Sequence, residues 1–253
     1  MLEDLYGRTF PYLRLSITDV CNFKCSYCLP YGYTSDKKKF LSLNEIDKII
    51  YVFTKLGVKK IRITGGEPTV RKDFINIAKI IKSYKEIEYM SFTTNGYILE
   101  EISEECANIG FNSVNVSLDS LNETKFKQIT GTKYFNKILL GIKKALECKL
   151  EIKINVVLIN PFSEKDLIEF SNFIEEYPVT VRFIELMKTN DINNNFQEIY
   201  ISHKIISNFL IKNEWNEEKR SLNSGPAIEY SKKNYNGKIG IIAPYSKGFC
   251  NSC

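Results

Sequence analysis

Three cysteines, Cys21, Cys25 and Cys28, fall within eight residues of the stretch "TDVCNFKCSYCLP". Thiols this close together are soft metal ligands, and the candidates are zinc and an iron–sulfur cluster. Structural zinc sites usually have a second Cys or His pair a short way along the chain. None is near the triplet, and the single histidine, His203, lies far off in a helical pattern that suits a core or surface role. A cube of four irons held by three thiolates leaves one iron without a protein ligand. Such an open position is where a metal binds and activates a substrate, whereas a closed site holds a fold or passes electrons.

A loop of this kind needs rigid elements to position it, and the surrounding pattern supplies them. From Leu13 to Leu186 six short apolar runs alternate with longer helical ones: "LRLSIT", "KKIRIT", "YMSFTTN", "SVNVSLD", "EIKINVVL" and "VTVRFIEL". Alternation of strand and helix is the mark of βαβ units and a parallel sheet. In "SLNEIDKIIYVFTKLG", Ile46, Ile49, Ile50 and Phe53 share a helical face and Gly57 stands where the helix should stop. Right-handed crossovers then predict an α/β fold, a partial (β/α)6 barrel of the TIM type. The cysteine triplet follows the first strand, where a barrel enzyme carries active-site loops.

Strands buried on both faces read as continuous apolar runs, but these alternate. Leu13, Leu15 and Ile17 oppose Arg14, Ser16 and Thr18, and Ile61 and Ile63 oppose Lys60, Arg62 and Thr64. Later strands repeat the pattern with Thr93, Asn115, Ser117, Asp119, Lys153, Asn155 and Arg182 on the polar side. The apolar face must meet the helices, so the polar face is expected to point inward around water or a ligand, because unpaired charges in a dry interior are costly. A half-exposed antiparallel sheet would account for one or two such strands, not for six.

The chain of 253 residues, 43% hydrophobic and 13% aromatic, is long enough for a full core, which argues against disorder. A net charge of +5 is mild, and no basic run exceeds "DKKKF", so no nucleic-acid partner is expected. No window approaches the roughly 20 apolar residues of a membrane span, and the first residues lack a signal-peptide layout. A cytoplasmic protein with no membrane partner is expected. Seven cysteines in this distribution suit metal binding better than disulfides, and Cys106 and Cys148 fit small buried positions. After Leu186 the rhythm changes to one helical stretch and the strand-like "AIEYSKK" and "GKIGIIAP" joined by "NYNG". The expected division is therefore a barrel domain, 1–186, and a C-terminal extension, 187–253.

The spacing in "CNFKCSYC", with an aromatic before the last Cys, resembles the cluster loop of radical S-adenosylmethionine (radical SAM) enzymes. "ITGGEPTVR" at the second strand resembles their GGEP segment, where two glycines let backbone approach a ligand and Pro68 fixes the chain beyond. Within that superfamily "LRLSITDVCNFKCSYC", "GVKKIRITGGEPTVRKD", "TTNGYIL", "NVSLDS", "KINVVLI" and "VRFIELM" resemble the GTP 3′,8-cyclase family of molybdenum-cofactor biosynthesis, from about Gly7 to Cys253. Val20 departs from it, since the family usually has arginine there.

The resemblance implies a 4Fe–4S cluster on Cys21, Cys25 and Cys28, with S-adenosylmethionine contacted by Tyr27, Gly65, Gly66, Glu67, Ser117 and Met187. It implies GTP contacts at Arg14, Arg62, Thr93 and Lys153, with Lys60 and Arg182 as further phosphate partners. The implied reaction begins with cleavage of the sulfonium bond to a deoxyadenosyl radical, which takes the ribose 3′ hydrogen of GTP so that the carbon radical attacks C8 of guanine. A reductant such as flavodoxin or ferredoxin would supply the electron, and a homodimer is compatible. Cations facing one cavity suit a triphosphate; the competing arrangement for any single arginine is an ion pair with Asp119 or Glu67. Cys250 and Cys253 resemble the start of the family's second cluster, but its third cysteine, following arginines and paired-glycine tail are absent. A fragment or a natural truncation, with the first cluster assembled and the second missing or unstable, is the expectation. Alternatives are a peptide-modifying radical SAM enzyme with an auxiliary cluster, an electron-transfer or binding module, and an inactive truncated homologue.

Overall fold

The computed structural model describes residues 3–34, 40–188, 196–219 and 225–246. Cys250 and Cys253 lie outside these residues. The chain divides into two compact units, residues 1–116 with 130–151, and residues 117–129 with 152–253.

In the first unit, β1 (Tyr12–Ser16), β2 (Lys60–Thr64), β3 (Tyr89–Thr94) and β4 (Ser113–Ser117) pair in parallel in that order. The intervening helices are α1 (Leu43–Lys55), α2 (Phe74–Ser83) and α3 (Leu99–Ile109). α1 starts where the sequence supplies a capping box: Ser42 Oγ accepts the Glu45 N–H at 3.2 Å, and the Glu45 carboxylate accepts the Ser42 N–H at 2.7 Å. Ile46 and Ile50 on its expected face are fully buried, and Gly57 past its end takes a φ of 92°. Register aligns like with like across the strands. Leu15, Ile63 and Phe92 form one apolar row, while Arg14, Arg62 and Ser91 form the polar row beside it. The apolar rows are buried with Ile77 and Ile81 of α2, and Phe74 meets Phe92 edge-on at 5.2 Å. Each such side chain contributes roughly 1.5–3 kcal/mol by leaving water. α4 (Glu123–Thr130) belongs to the second unit except for Thr130, and in α5 (Phe135–Glu147) of the first unit Gly141 passes close to Leu99 of α3.

In the second unit, β5 (Glu151–Leu158, from Ile152 onward) pairs in parallel with β6 (Val179–Glu185) across α6 (Glu164–Glu176). α7 (Phe196–Ile199) and α8 (Lys204–Lys212) follow, then β7 (Asn216–Glu217), β8 (Ile228–Ser231) and β9 (Lys238–Ile242). The "NYNG" hairpin forms, β8 against β9. Its second strand does not stand apart, however: β9 continues the ladder parallel to β6, with Ile239 beside Val181 and Ile241 beside Phe183. Gly240 opposite Arg182 leaves room for the aliphatic stem of that arginine.

Six parallel strands alternating with helices are present as the sequence predicts, with strand ends one or two residues shorter. Thr18, Asn95 and Asp119 fall just beyond β1, β3 and β4: the Thr18 carbonyl accepts the Gly66 N–H, the Asn95 N–H donates to the Glu67 carboxylate, and the Asp119 carboxylate accepts the Val157 N–H. Among the described residues no helix is long and apolar enough to cross a membrane.

Candidate active site

The cysteine loop leaves β1 along the end of β2. The carbonyl of Thr18 accepts the Gly66 N–H, and that of Val20 accepts the Glu67 N–H, each at 2.8 Å. Gly65 adopts a φ of 145°, and a Cβ on it would collide with the Thr18 backbone; on Gly66 it would collide with the carbonyls of Asp19 and Val20. The two glycines are thus required by the close approach of one backbone to another. Farther along, Phe23 is buried and the Lys24 N–H donates to the Thr130 carbonyl at 3.2 Å. The Cys25 carbonyl then accepts N–H groups from Cys28 and Leu29, both at 3.0 Å, which turns the chain so that the triplet closes on itself. Cys21 and Cys25 are half-buried, Cys28 is exposed, and all three are free thiols. Tyr27 is half-buried in the same loop.

Burial pushes the Cys21 thiol up, opposed by N–H donors from the Phe23 backbone and the Asn95 side chain, while the charges of Glu67 and Cys28 push it further up. Glu67 itself is buried, with its carboxylate turned to protein donors. Oε1 accepts from Thr69 N at 3.1 Å, Thr69 Oγ1 at 2.6 Å and Thr94 Oγ1 at 2.9 Å, and Oε2 accepts from Asn95 N. It joins the end of β2 to the end of β3, and burial raises its pKa against these bonds. Arg71 closes the other side of the loop. Its buried guanidinium donates to the carbonyls of Ile17 at 2.8 Å and Leu41 at 3.1 Å and forks onto Asp73 at 2.8 and 2.6 Å.

Of the expected substrate positions, Arg14, Lys60, Arg62 and Thr93 lie on the polar rows of the first unit. Arg14 stands in register beside Arg62. Arg62 is half-buried, stacks over Tyr12 at 5.4 Å and reaches Ser91 Oγ at 3.4 Å. Its pKa is lowered by burial and by the like charge of Arg14. Among the described residues neither arginine forms an ion pair, and Glu67, offered as a neutralising partner, is occupied elsewhere. Thr93 Oγ1 donates to Thr64 Oγ1 at 3.0 Å.

In the second unit Lys153 and Asn155 line β5 opposite Thr180 and Arg182, and Arg182 Nε donates to Asn155 Oδ1 at 3.0 Å. Ser117 is exposed at the end of β4 and Met187 is exposed just past β6. Sequence reasoning missed the group between them in this unit: buried Glu185 accepts from Tyr200 OH at 3.0 Å, from His203 N at 2.9 Å and from Ser246 N at 3.1 Å, with His203 Nδ1 at 2.8 Å. These donors hold its carboxyl down at about 2 in spite of burial. A carboxylate ending a strand was the available signal.

A protein-family model described as the Radical SAM superfamily matches residues 15–174, and one described as Molybdenum Cofactor Synthesis C matches residues 179–253. The GTP 3′,8-cyclase of Mannheimia succiniciproducens is 43% identical over 255 residues, covering 100% of this chain and 76% of that protein. That of Vibrio atlanticus is 45% identical, covering 99% of this chain and 76% of the relative. The chain belongs to the GTP 3′,8-cyclase family of the radical SAM superfamily. Among solved structures, Streptococcus suis SuiB bound to S-adenosylmethionine aligns with a TM-score of 0.65 at 19% identity, over 81% of this chain and 49% of that one. The maturase HydG aligns with a TM-score of 0.65 at 15% identity, over 79% and 48%. Both are likenesses of fold, and they agree with the α/β architecture derived from periodicity.

Membership in the superfamily implies a 4Fe–4S cluster and S-adenosylmethionine, and the residues present fit them. Among the described residues no three Cys, His, Asp or Glu side chains gather as they would around a single ion. A cube takes one thiolate per iron, so its ligands stand farther apart than the donors of one ion. Three free thiols on one anchored loop, close enough for Cys28 to bear on Cys21, are the donor set it needs.

Proposed function

We propose that the chain is a radical SAM lyase, a GTP 3′,8-cyclase. It converts GTP to (8S)-3′,8-cyclo-7,8-dihydroguanosine 5′-triphosphate on the route to the molybdenum cofactor. The observation that carries this reading is the pair of guanidiniums, Arg14 and Arg62, set side by side on one face without an ion pair among the described residues. Two like charges in register repel unless an anion lies between them, and forked donors suit phosphate oxygens. Thr93, Lys60, Lys153 and Arg182 complete the proposed nucleotide contacts. Tyr27, the backbone of Gly65 to Glu67, Ser117 and Met187 form the proposed S-adenosylmethionine contacts.

When bound on Cys21, Cys25 and Cys28, the cluster and its cosubstrate supply the one-electron chemistry that opens an unactivated C–H bond. This chain fixes the loop against β2 through Gly66 and Glu67 and orients the triphosphate through its arginines. We assign Cys250 and Cys253 to the start of the family's second cluster motif, divide the chain near Leu186, and place the reaction in the cytosol with a flavodoxin- or ferredoxin-like reductant. The test is anaerobic incubation of the reconstituted protein with S-adenosylmethionine, a reductant and either GTP or candidate peptides. Cyclised nucleotide with deoxyadenosine is expected from GTP; product from a peptide and none from GTP would refute the assignment.

A further inference from the structure

On the polar face of the first unit, Ser16, Thr64 and Thr93 offer only neutral hydroxyls at the end nearer the cysteine loop. One step toward the strand starts, Arg14, Arg62, Ser91 and Ser113 stand beside one another in that order. The two serines are equally buried, but their hydroxyls are spent differently. Tyr89 OH lies 2.8 Å from Glu151 Oε2 and 2.9 Å from Ser113 Oγ. A phenol has one hydrogen and a carboxylate only accepts, so that hydrogen goes to Glu151 and Ser113 donates its own to the phenol oxygen. Burial, and then the Glu151 charge against the Ser113 bond, push Tyr89 up to about 12, so it keeps its proton. Ser91 Oγ instead accepts a long bond from Arg62 Nε at 3.4 Å, and among the described residues it gives its hydrogen to nothing. A buried donor costs stability unless an acceptor meets it, and the two guanidiniums beside this one suit an anionic acceptor.

We infer that the Ser91 hydroxyl donates to the terminal phosphoryl group of the nucleotide, alongside Arg14 and Arg62, and so distinguishes a triphosphate from a diphosphate. The inference rests on the proposed reading of those arginines as nucleotide contacts. Parallel barrels gather their active-site loops at the C-terminal strand ends, so a nucleotide entering there brings its farthest phosphoryl to this row. Beneath it the bonds among Tyr89, Ser113 and Glu151 tie together the starts of β3, β4 and β5, Glu151 being the one residue of β5 in the first unit. A diphosphate ends one phosphoryl short and leaves the Ser91 hydrogen unmet.

Equilibrium binding of GTP and of GDP is measured on the anaerobically reconstituted wild-type chain, Ser91→Ala and Ser113→Ala. Ser91→Ala is expected to weaken GTP binding about tenfold, the worth of one hydrogen bond to a charged group, and to leave GDP binding unchanged. The preference for GTP then shrinks by the same factor. Ser113→Ala, whose hydroxyl is spent on Tyr89, should keep the wild-type preference. An unchanged GTP affinity in Ser91→Ala, an equal loss for both nucleotides, or the same shift in Ser113→Ala overturns this inference, while cyclised product from the wild type leaves the cyclase reading standing. A wild-type chain that binds no GTP overturns both. If Ser91→Ala does not fold, Ser91→Cys, close in volume but a weak donor, is read by the same outcomes.

Discussion

Gly66 carries the sharpest test at the scale of one residue. A methyl group there meets the carbonyls of Asp19 and Val20, and backbone cannot swing aside as a side chain can. The only relief is to push the chain between Thr18 and Cys21 away from β2, at about 1–3 kcal/mol of overpacking. Gly66→Ala is expected to lower both the melting midpoint and the iron bound per chain; full iron retention in a melted-midpoint variant would show the loop to be independent of β2. The motif itself was visible in "GGEP", but its reason was not, since nothing local says that β1 continues behind β2. The hydrogen-bonding roles of Asn95 and Arg71 were hidden for the same cause. Both sit in stretches the sequence reading quotes, yet Asn95 bonds a partner 73 residues away and Arg71 one 54 residues away.

At the scale of elements, two buried charges hold loops by their ends. Arg71 touches the chain just before and just after the cysteine loop, at Ile17 and Leu41, and thereby closes its stem. Arg71→Met removes those bonds and strands Asp73, and should cost about 2–4 kcal/mol. Hydrogen exchange is expected to quicken at amides 20–34 more than in α1 or α2; uniform quickening would argue for global loosening instead. In the second unit Glu185 ties the end of β6 to the start of α8 and to Ser246. Its carboxyl titrates at about 2 against an ordinary 4.5, so the folded state holds fewer protons between those values. The stability it contributes is complete above pH 4.5 and is lost as the pH falls toward 2. Urea unfolding of Glu185→Gln should therefore be weaker at neutral pH and flatter across that acid window than wild type. Helix α8 was legible from its periodicity and "NYNG" from its turn residues. The partner of β9 was not, because an apolar strand of five residues fits beside any neighbour of matching face.

For the molecule as a whole, the alternation of polar and apolar residues along six strands was the most informative reading, since it depends only on side-chain period. It placed Arg14 and Arg62 on the face away from the helices, and register then set them side by side. At β4 the polar row is buried as well: Asn115 stands in register beside Thr93, and its amide donates to the Phe92 carbonyl of the neighbouring strand at 3.2 Å. The paired arginines give the protein a trade between stability and binding that one substitution separates. Arg62 is held partly out of water beside a like charge, so Arg62→Leu should stabilise the nucleotide-free chain by about 1 kcal/mol. That is a rise in melting midpoint of roughly 2–4 °C for a chain of this size. Nucleotide reverses the order. Wild type should gain about 2.7 kcal/mol from GTP at a hundred times its Kd, while Arg62→Leu gains little at the same concentration. Melting curves of both chains with and without GTP read all four states. A variant that is less stable without nucleotide, or as strongly protected with it, would mean that Arg62 is a structural cation and that the triphosphate is held elsewhere.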